Sequence, residues 1–195
     1  MLKPDFQESK AVQAAAILLK LRGGKMSYMK LIKLLYLVDR EALLRWGRPV
    51  TYDSYVSMRH GPVLSEVLDR ISEGDPPGVT SIWNQYISEP RKYEVELKQD
   101  CPPDDLSEAE EQLICEIFNK FGHNTRWELV ELLHEVLPEW KNPGNSSIPI
   151  EYHDILKAGG KTEMEAREIE SEIESVALMN SFLSNTDDML SKCYV

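Results

Sequence analysis

The sequence predicts a mainly α-helical protein with a small β-hairpin, folded as a compact domain around one buried central helix, Ser27–Trp46. Apolar residues recur at the spacing of an amphipathic helix through most of the chain. Three Ser/Thr-x-x-Glu sequences stand directly before such runs, where they predict capping boxes at helix starts. Strict apolar–polar alternation, which is typical of a strand, occurs in one short stretch, Tyr93–Lys98.

The first helix is predicted to follow Asp5, which stands in the N-cap position with Glu8 three residues later. It is expected to end before Gly23 and Gly24, because glycine is the preferred residue just beyond a helix C-terminus.

The central helix is predicted because almost its whole circumference is apolar. Lys30, Lys33 and Arg40 fall on one narrow stripe, and Gly47 marks the end of the helix. Apolar side chains cover the rest of the surface: Tyr28, Leu31, Leu34, Leu35, Val38, Ala42 and Leu44. A helix with so little polar surface is buried on nearly all sides, so we expect it in the middle of the fold.

A third helix and the hairpin are predicted next. Pro62 suits the first turn of the helix, since the missing N–H of a proline would be unpaired there, and the apolar pattern continues to Ile71. The sequence EGDPPG, Glu73–Gly78, ends this helix. Trp83–Ser88 is the predicted partner strand of Tyr93–Lys98, across the turn EPRK.

The second half of the chain is predicted to be helical. Its capping boxes are Ser107-x-x-Glu110, Thr125-x-x-Glu128 and Thr162-x-x-Glu165. A long irregular connection separates the second box from the third and contains one short helix, Tyr152–Ala158. The last helix has an apolar face of Ala166, Ile169, Ile173, Val176 and Leu183.

No linker is long enough to separate two domains. Residues 1–160 are therefore expected to form one helical domain, and residues 161–195 a C-terminal helix and tail that pack on the same domain.

The net charge of −11 makes phosphate backbones unfavourable partners, so no direct nucleic-acid binding is expected. An acidic surface with aromatic anchors instead favours a basic protein partner. No apolar run approaches the roughly 18 residues of a membrane span, which predicts no membrane association. Cys101, Cys115 and Cys193 lack metal-knuckle or disulfide spacing and fit a reducing cytoplasm, where we expect the protein.

No catalytic, metal-binding or cofactor-binding set emerges from the sequence, since nucleophile elbows and HExxH pairs are absent. His134 shares an apolar helix face with Val130 and predicts a hydrogen-bonded core residue. The alternative is a small metal-dependent hydrolase that uses His60, Glu66 and His134, which would have to converge around one pocket.

Two local features have structural and functional interpretations. Arg59 and His60 precede the Gly61-Pro62 step, and we expect one of them to bond a neighbouring backbone group or carboxylate. Trp140, just beyond a helix that Pro138 ends, is either a packed lid over the helix end or an exposed anchor for another protein.

Four sequence fragments in this order resemble the Panacea domain family of SocA-like antitoxins, also described as phage-associated proteins. They are Lys33-Leu34-Leu35-Tyr36, Gly47-Arg48-Pro49-Val50, His60-Gly61-Pro62-Val63 and His134…Pro138…Trp140. The chain departs from the family pattern at His60, which is often an aromatic residue, and at Glu139, which splits the Pro-Trp pair.

The resemblance implies a mostly helical domain without known catalysis that binds and neutralises a toxin, usually encoded beside it. Some relatives resemble adaptors that deliver the toxin to a AAA+ protease, so a protease is a second possible partner. The family-motif and candidate partner-binding residues are Lys33, Tyr36, Arg59, His60, Gly61, Pro62, His134 and Trp140.

Overall fold

The computed structural model describes residues 2–75 and 81–193, and this part of the chain is mainly α-helical, as predicted. Its helices are α1 Glu8–Leu21, α2 Tyr28–Trp46, α3 Ser65–Ser72, α4 Ile82–Tyr86, α5 Glu108–Phe121, α6 Arg126–Val136, α7 Tyr152–Ala158 and α8 Glu163–Cys193. Its strands are β1 Lys25–Ser27, β2 Tyr55–Met58, β3 Gly61–Leu64, β4 Glu94–Glu96 and β5 Ile148–Ile150. They form two small antiparallel sheets, β1–β4 and β3–β2–β5.

Helix α2 is the central helix, as predicted. Helices α1, α5, α6 and α7 and the β2–β3 hairpin pack around it, and apolar residues such as Leu34 are completely buried. Gly47 ends the helix in the left-handed conformation, with φ of 68°. Lys30 and Lys33 are buried with the apolar residues, at 4% and 1% exposure, so the core contains two ammonium groups.

The predicted start of the third helix at Pro62 is wrong. Pro62 lies in β3, at the edge of its sheet, where a missing N–H interrupts no inner ladder. Helix α3 starts later because the Asp53 carboxylate accepts the backbone N–H groups of Glu66 and Val67, at 2.9 and 3.1 Å. This cap comes from before β2, so it leaves no signal next to the helix.

The predicted strand Trp83–Ser88 is also wrong. Its first part is helix α4, which is capped by the Ser81 hydroxyl through the backbone N–H of Asn84, at 3.1 Å. The Trp83 side chain is 1% exposed. Burial of this large side chain against the core favours a helical turn here over an isolated hairpin.

The alternating stretch is confirmed as β4, but its partner strand is β1, with Met26 opposite Val95. The predicted hairpin between Trp83–Ser88 and Tyr93–Lys98 is represented by an isolated antiparallel bridge between Ile87 and Leu97. The hairpin in the fold is instead β2–β3, in which Met58 stands opposite Gly61.

Helix termini in the second half follow the sequence closely. In each of the three capping boxes the hydroxyl accepts the glutamate N–H, and the glutamate carboxylate accepts the Ser or Thr N–H. The short helix Tyr152–Ala158 is confirmed as α7. The connection before it is less irregular than predicted, because Ile148–Ile150 forms β5 on the far side of β2.

The start of the first helix differs from the prediction. Helix α1 begins at Glu8, and its N-cap residue is Gln7, not Asp5.

Among the described side chains of α8, the predicted apolar face is buried near the start of the helix and exposed further on. Ala166 and Ile173 are buried, whereas Val176 and Leu183 are 46% and 60% exposed, contrary to the predicted continuous face. The predicted tail is helical as far as Cys193, and residues 194 and 195 lie outside the described residues. The division of the chain into a domain of residues 1–160 and a C-terminal segment of residues 161–195 stays a prediction. Within the described ranges, no helix is long and apolar enough to cross a membrane.

Candidate functional site

Residues from separate sequence fragments meet beside the first half of α2. Lys33 lies against Gly61 of the β2–β3 hairpin and close to His134 of α6. Tyr36, three residues further along the same helix, binds Glu139, which follows α6. The hairpin and the end of α6 are therefore both fixed to one stretch of the central helix.

The hairpin turn brings backbone unusually close to Lys33. Arg59 and His60 form the turn, and Gly61 follows with φ of +102°, a conformation that side-chain-bearing residues rarely adopt. A Cβ atom at Gly61 would lie 2.9 Å from Lys33 Nζ and 3.8 Å from His134 Nε2. Glycine is needed here for the backbone angle and for the space around the ammonium group.

Trp140 folds back over the end of α6. Its ring stacks on that of His134, with centroids 3.8 Å apart and planes 10° from parallel. Its indole N–H donates to the Met58 carbonyl oxygen at 3.0 Å. This is the packed-lid arrangement, and it connects α6 to the hairpin turn.

Glu139 anchors the same segment to α2. Its side chain is completely buried and accepts hydrogen bonds from the Tyr36 hydroxyl at 2.9 Å and from Arg40 Nε at 2.6 Å. Burial and the neighbouring carboxylate raise the pKa of Tyr36 well above its usual value. The residue that departs from the family pattern thus binds a tyrosine that belongs to it. Sequence reasoning missed this role; an acidic residue inside an otherwise apolar motif was the available signal.

Lys33 is charged, buried and unpaired. At 1% exposure, it forms no hydrogen bond or ion pair with any residue that the structure describes. Burial lowers the pKa of its ammonium group to about 8. His134 Nε2 is also buried without a hydrogen-bond partner, so the predicted hydrogen-bonded core histidine is wrong on that nitrogen. Burial, Lys33 and His60 lower the pKa of His134.

A pocket of about 200 Å³ opens beside the Lys33 side chain. Its walls are apolar side chains from α2, the hairpin and α3: Tyr28, Met29, Ile32, Met58, Val63 and Leu68. Arg59 and His60, both exposed, also line it. The pocket therefore combines an apolar interior, one buried ammonium group and a cationic edge.

Exposed aromatic and cationic side chains continue from the pocket across the neighbouring surface. The rings of His60 and Trp127 meet edge to face at 5.4 Å, and the Arg126 guanidinium lies 5.3 Å from the Trp127 ring. Arg126 also lies 5.7 Å from the ring of Tyr93. Trp127 and Tyr93 are 48% and 64% exposed. We call this surface the aromatic rim; it consists of Met58, Arg59, His60, Tyr93, Arg126 and Trp127.

Two expectations for the turn and the histidines are corrected. Neither Arg59 nor His60 bonds a backbone group or carboxylate of the described chain; His60 contacts the Trp127 ring instead. Glu66 does not join His60 and His134, because no three His, Cys, Asp or Glu side chains of the described residues are placed to hold a metal ion. Helix α3, which carries Glu66, begins at the Asp53 cap.

The remaining histidines lie elsewhere. His123 contacts the Phe118 ring edge after α5, with centroids 6.0 Å apart. His153 lies between α7 and α8, where its ring nitrogens are 3.0 Å from a Glu170 oxygen and 3.3 Å from a Glu163 oxygen. No pattern in the sequence indicates this contact between the last two helices.

The described residues thus form a helical domain with an unpaired buried lysine, an apolar pocket and an exposed aromatic rim. Residues 31–141, more than half of the chain, match the family model of the SocA-like antitoxins with a Panacea domain, and the protein belongs to this family. No curated protein and no solved structure matches the chain. The matched range contains Lys33, Gly61 and Trp140, whereas α1 and α8 lie outside it.

Proposed function

We propose that the protein is a non-enzymatic, cytoplasmic antitoxin that neutralises a cognate toxin by direct protein–protein binding. The observation that carries the proposal is the match of residues 31–141 to the SocA-like antitoxin family. That range includes the whole contact system of Lys33, Gly61, His134 and Trp140.

The aromatic rim is the surface that we assign to the toxin. Trp, Tyr and Arg are the residue types that contribute most to binding free energy at protein interfaces. Here Trp127 and Tyr93 are exposed, and the half-buried Arg126 packs against both of their rings. Such prior ordering lowers the conformational entropy lost on binding. Arg126 places a positive charge against both rings, so this part of the interface differs from the acidic surface expected from the net charge.

The test is co-expression with the adjacent open reading frame. We expect the neighbouring gene product to arrest growth alone, and to co-purify with this protein when growth is restored. A neighbour that is harmless and never co-purifies would contradict the proposal.

Trp127→Ala tests the assigned surface. We expect it to weaken the complex by roughly 2 kcal/mol or more, as for an interface hot spot. Trp46→Ala is the matched control, since Trp46 is 36% exposed at the other end of α2. It lies about 20 Å from Lys33 at 1.5 Å per residue. Equal effects of the two substitutions would exclude the aromatic rim as the toxin contact.

The same experiment separates sequestration from delivery to a protease. A stable complex with a constant toxin level indicates sequestration. Toxin loss that requires both this protein and a AAA+ protease would indicate an adaptor. The hydrolase alternative has no support from the geometry, because Glu66 does not join the two histidines.

A further inference from the structure

The unpaired ammonium group of Lys33 is a feature that the fold alone does not explain. Moving a charge from water into a protein interior costs free energy unless a partner compensates it. Lys33 is 1% exposed and has no hydrogen bond or ion pair within the described chain. A buried lysine in this state is suited to meet an anion that comes from another molecule.

The groups around Lys33 do not compensate its charge. The titratable or charged side chains beside it or around the pocket are His134 from α6, Tyr28 from α2 and, at the hairpin turn, Arg59 and His60. All of these carry positive charge or none, and His134 Nε2 is itself buried without a hydrogen-bond partner in the described chain. No carboxylate of the described residues forms an ion pair with Lys33, although the whole chain has a net charge of −11.

The size of the pocket favours a side chain over a free small molecule. At about 200 Å³ it is smaller than the roughly 300–1,000 Å³ of pockets that hold ligands or cofactors. Met29, Ile32, Val63 and Leu68 give it apolar walls on several sides. An inserted group must therefore present apolar surface as well as negative charge.

Carboxylate fits these walls better than phosphate. Phosphate sites surround a dianion with several N–H groups, as at a helix N-terminus or an arginine cluster. Here one buried ammonium group, Lys33, faces an otherwise apolar interior. One buried positive charge, with Arg59 at the exposed edge, matches the single negative charge of a carboxylate, and apolar walls match the methylene groups that carry it.

We infer that the Lys33 pocket binds an acidic side chain of the partner protein, an Asp or Glu that adjoins an apolar residue. In the complex the carboxylate accepts a hydrogen bond from Lys33 Nζ, and the apolar neighbour contacts Met58 and Leu68. This inference rests on the proposed antitoxin function, because it names a contact on the same face as the aromatic rim.

The first experiment uses two small probes on the unaltered protein. The carboxylate 4-methylpentanoate and its neutral amide, 4-methylpentanamide, have the same apolar tail and differ in charge. We expect the carboxylate to shift the amide NMR signal of Gly61 in a saturable manner, with affinity at least roughly tenfold above that of the amide. Equal affinities, or no saturable shift with either probe, would overturn the inference. Inorganic phosphate binding as tightly as the carboxylate would indicate a general anion site and would also overturn it.

Variants then assign the effect to Lys33. Lys33→Met should abolish the preference for the carboxylate, whereas Lys25→Met, at an exposed lysine of β1, should leave it unchanged. Retention of the preference in Lys33→Met would contradict the assignment. The probe comparison in the unaltered chain stays informative if a variant folds poorly.

Co-expression distinguishes this inference from the proposed function. If the toxin co-purifies equally with Lys33→Met and with the unaltered protein, the carboxylate contact is wrong while the antitoxin function stands. If no neighbouring product binds, the antitoxin function is wrong, and the probe titration still decides whether the pocket binds carboxylate.

Discussion

Two buried lysines lie on the same helix, one turn apart, and they differ in their hydrogen-bond partners. Lys30 is 4% exposed, and its ammonium group donates to the carbonyl oxygens of Gly122 and Asn124, the latter at 2.6 Å. These carbonyls follow the end of α5, so Lys30 joins that turn to α2. Lys33 is 1% exposed and has no such acceptor within the described chain.

The difference shows how a buried charge that serves the fold can be distinguished from one that the fold leaves uncompensated. The charge of Lys30 is compensated by backbone acceptors that would otherwise lack partners at a helix C-terminus. The charge of Lys33 is compensated by nothing in the described residues, and it lines a pocket. Burial alone therefore does not distinguish the two lysines, whereas the presence or absence of acceptors does.

Replacing each lysine by methionine gives the largest expected difference in the free energy of unfolding. Lys30→Met leaves two carbonyl groups without a donor and should lower the free energy of unfolding by about 2–4 kcal/mol. Lys33→Met removes an uncompensated charge and should leave stability unchanged or raise it by about 1–2 kcal/mol. Urea unfolding at neutral pH measures both.

The exposed Lys25→Met is the control for this pair and should change stability by no more than about 0.5 kcal/mol. A Lys33→Met protein that is less stable than Lys30→Met would mean that Lys33 has a structural acceptor after all.

The pH dependence of stability isolates Lys33. Its pKa is about 8 in the folded protein against 10.5 ordinarily, so between these values the unfolded chain binds more protons than the folded one. Stability contributed by this residue must then increase as the pH rises from 8 to 10.5, by up to about 3 kcal/mol.

The measurement is the difference in unfolding free energy between the unaltered protein and Lys33→Met across this range. Subtraction removes the titration of the other lysines and tyrosines. A difference that does not change with pH would show that the ammonium group is well compensated in the folded state.

The parts of the fold that the sequence predicted are those with local signals. Helix α2 is apolar around its circumference, and the three capping boxes lie within four residues of the helix starts that they fix. The failures have distant causes. Asp53 caps α3 from before β2, so the pattern beginning at Pro62 appeared helical one turn too early.

The candidate site could be predicted less completely than the fold. Resemblance identified Lys33, Gly61, His134 and Trp140 individually, but their convergence depends on how the hairpin and α6 pack against α2. No local pattern distinguishes Lys30 from Lys33, because the acceptors of Lys30 lie far away in the sequence. The hydrogen-bond partners of a buried charge are set by the tertiary structure and not by the neighbouring sequence.

The smallest of the expected losses is that of Trp140→Phe, at the joint between α6 and the hairpin that encloses the pocket. Trp140→Phe keeps an aromatic ring stacked on His134 but removes the indole N–H that donates to Met58. We expect a loss of about 1 kcal/mol, the usual contribution of one hydrogen bond.

Trp140→Ala removes the stack as well and should lower the free energy of unfolding by about 1–3 kcal/mol more. Chemical denaturation compares the two, and equal losses would show that stacking on His134 does not stabilise this joint. Because Met58 also lines the pocket, Trp140→Phe should weaken 4-methylpentanoate binding slightly, whereas Lys33→Met abolishes its advantage over the amide.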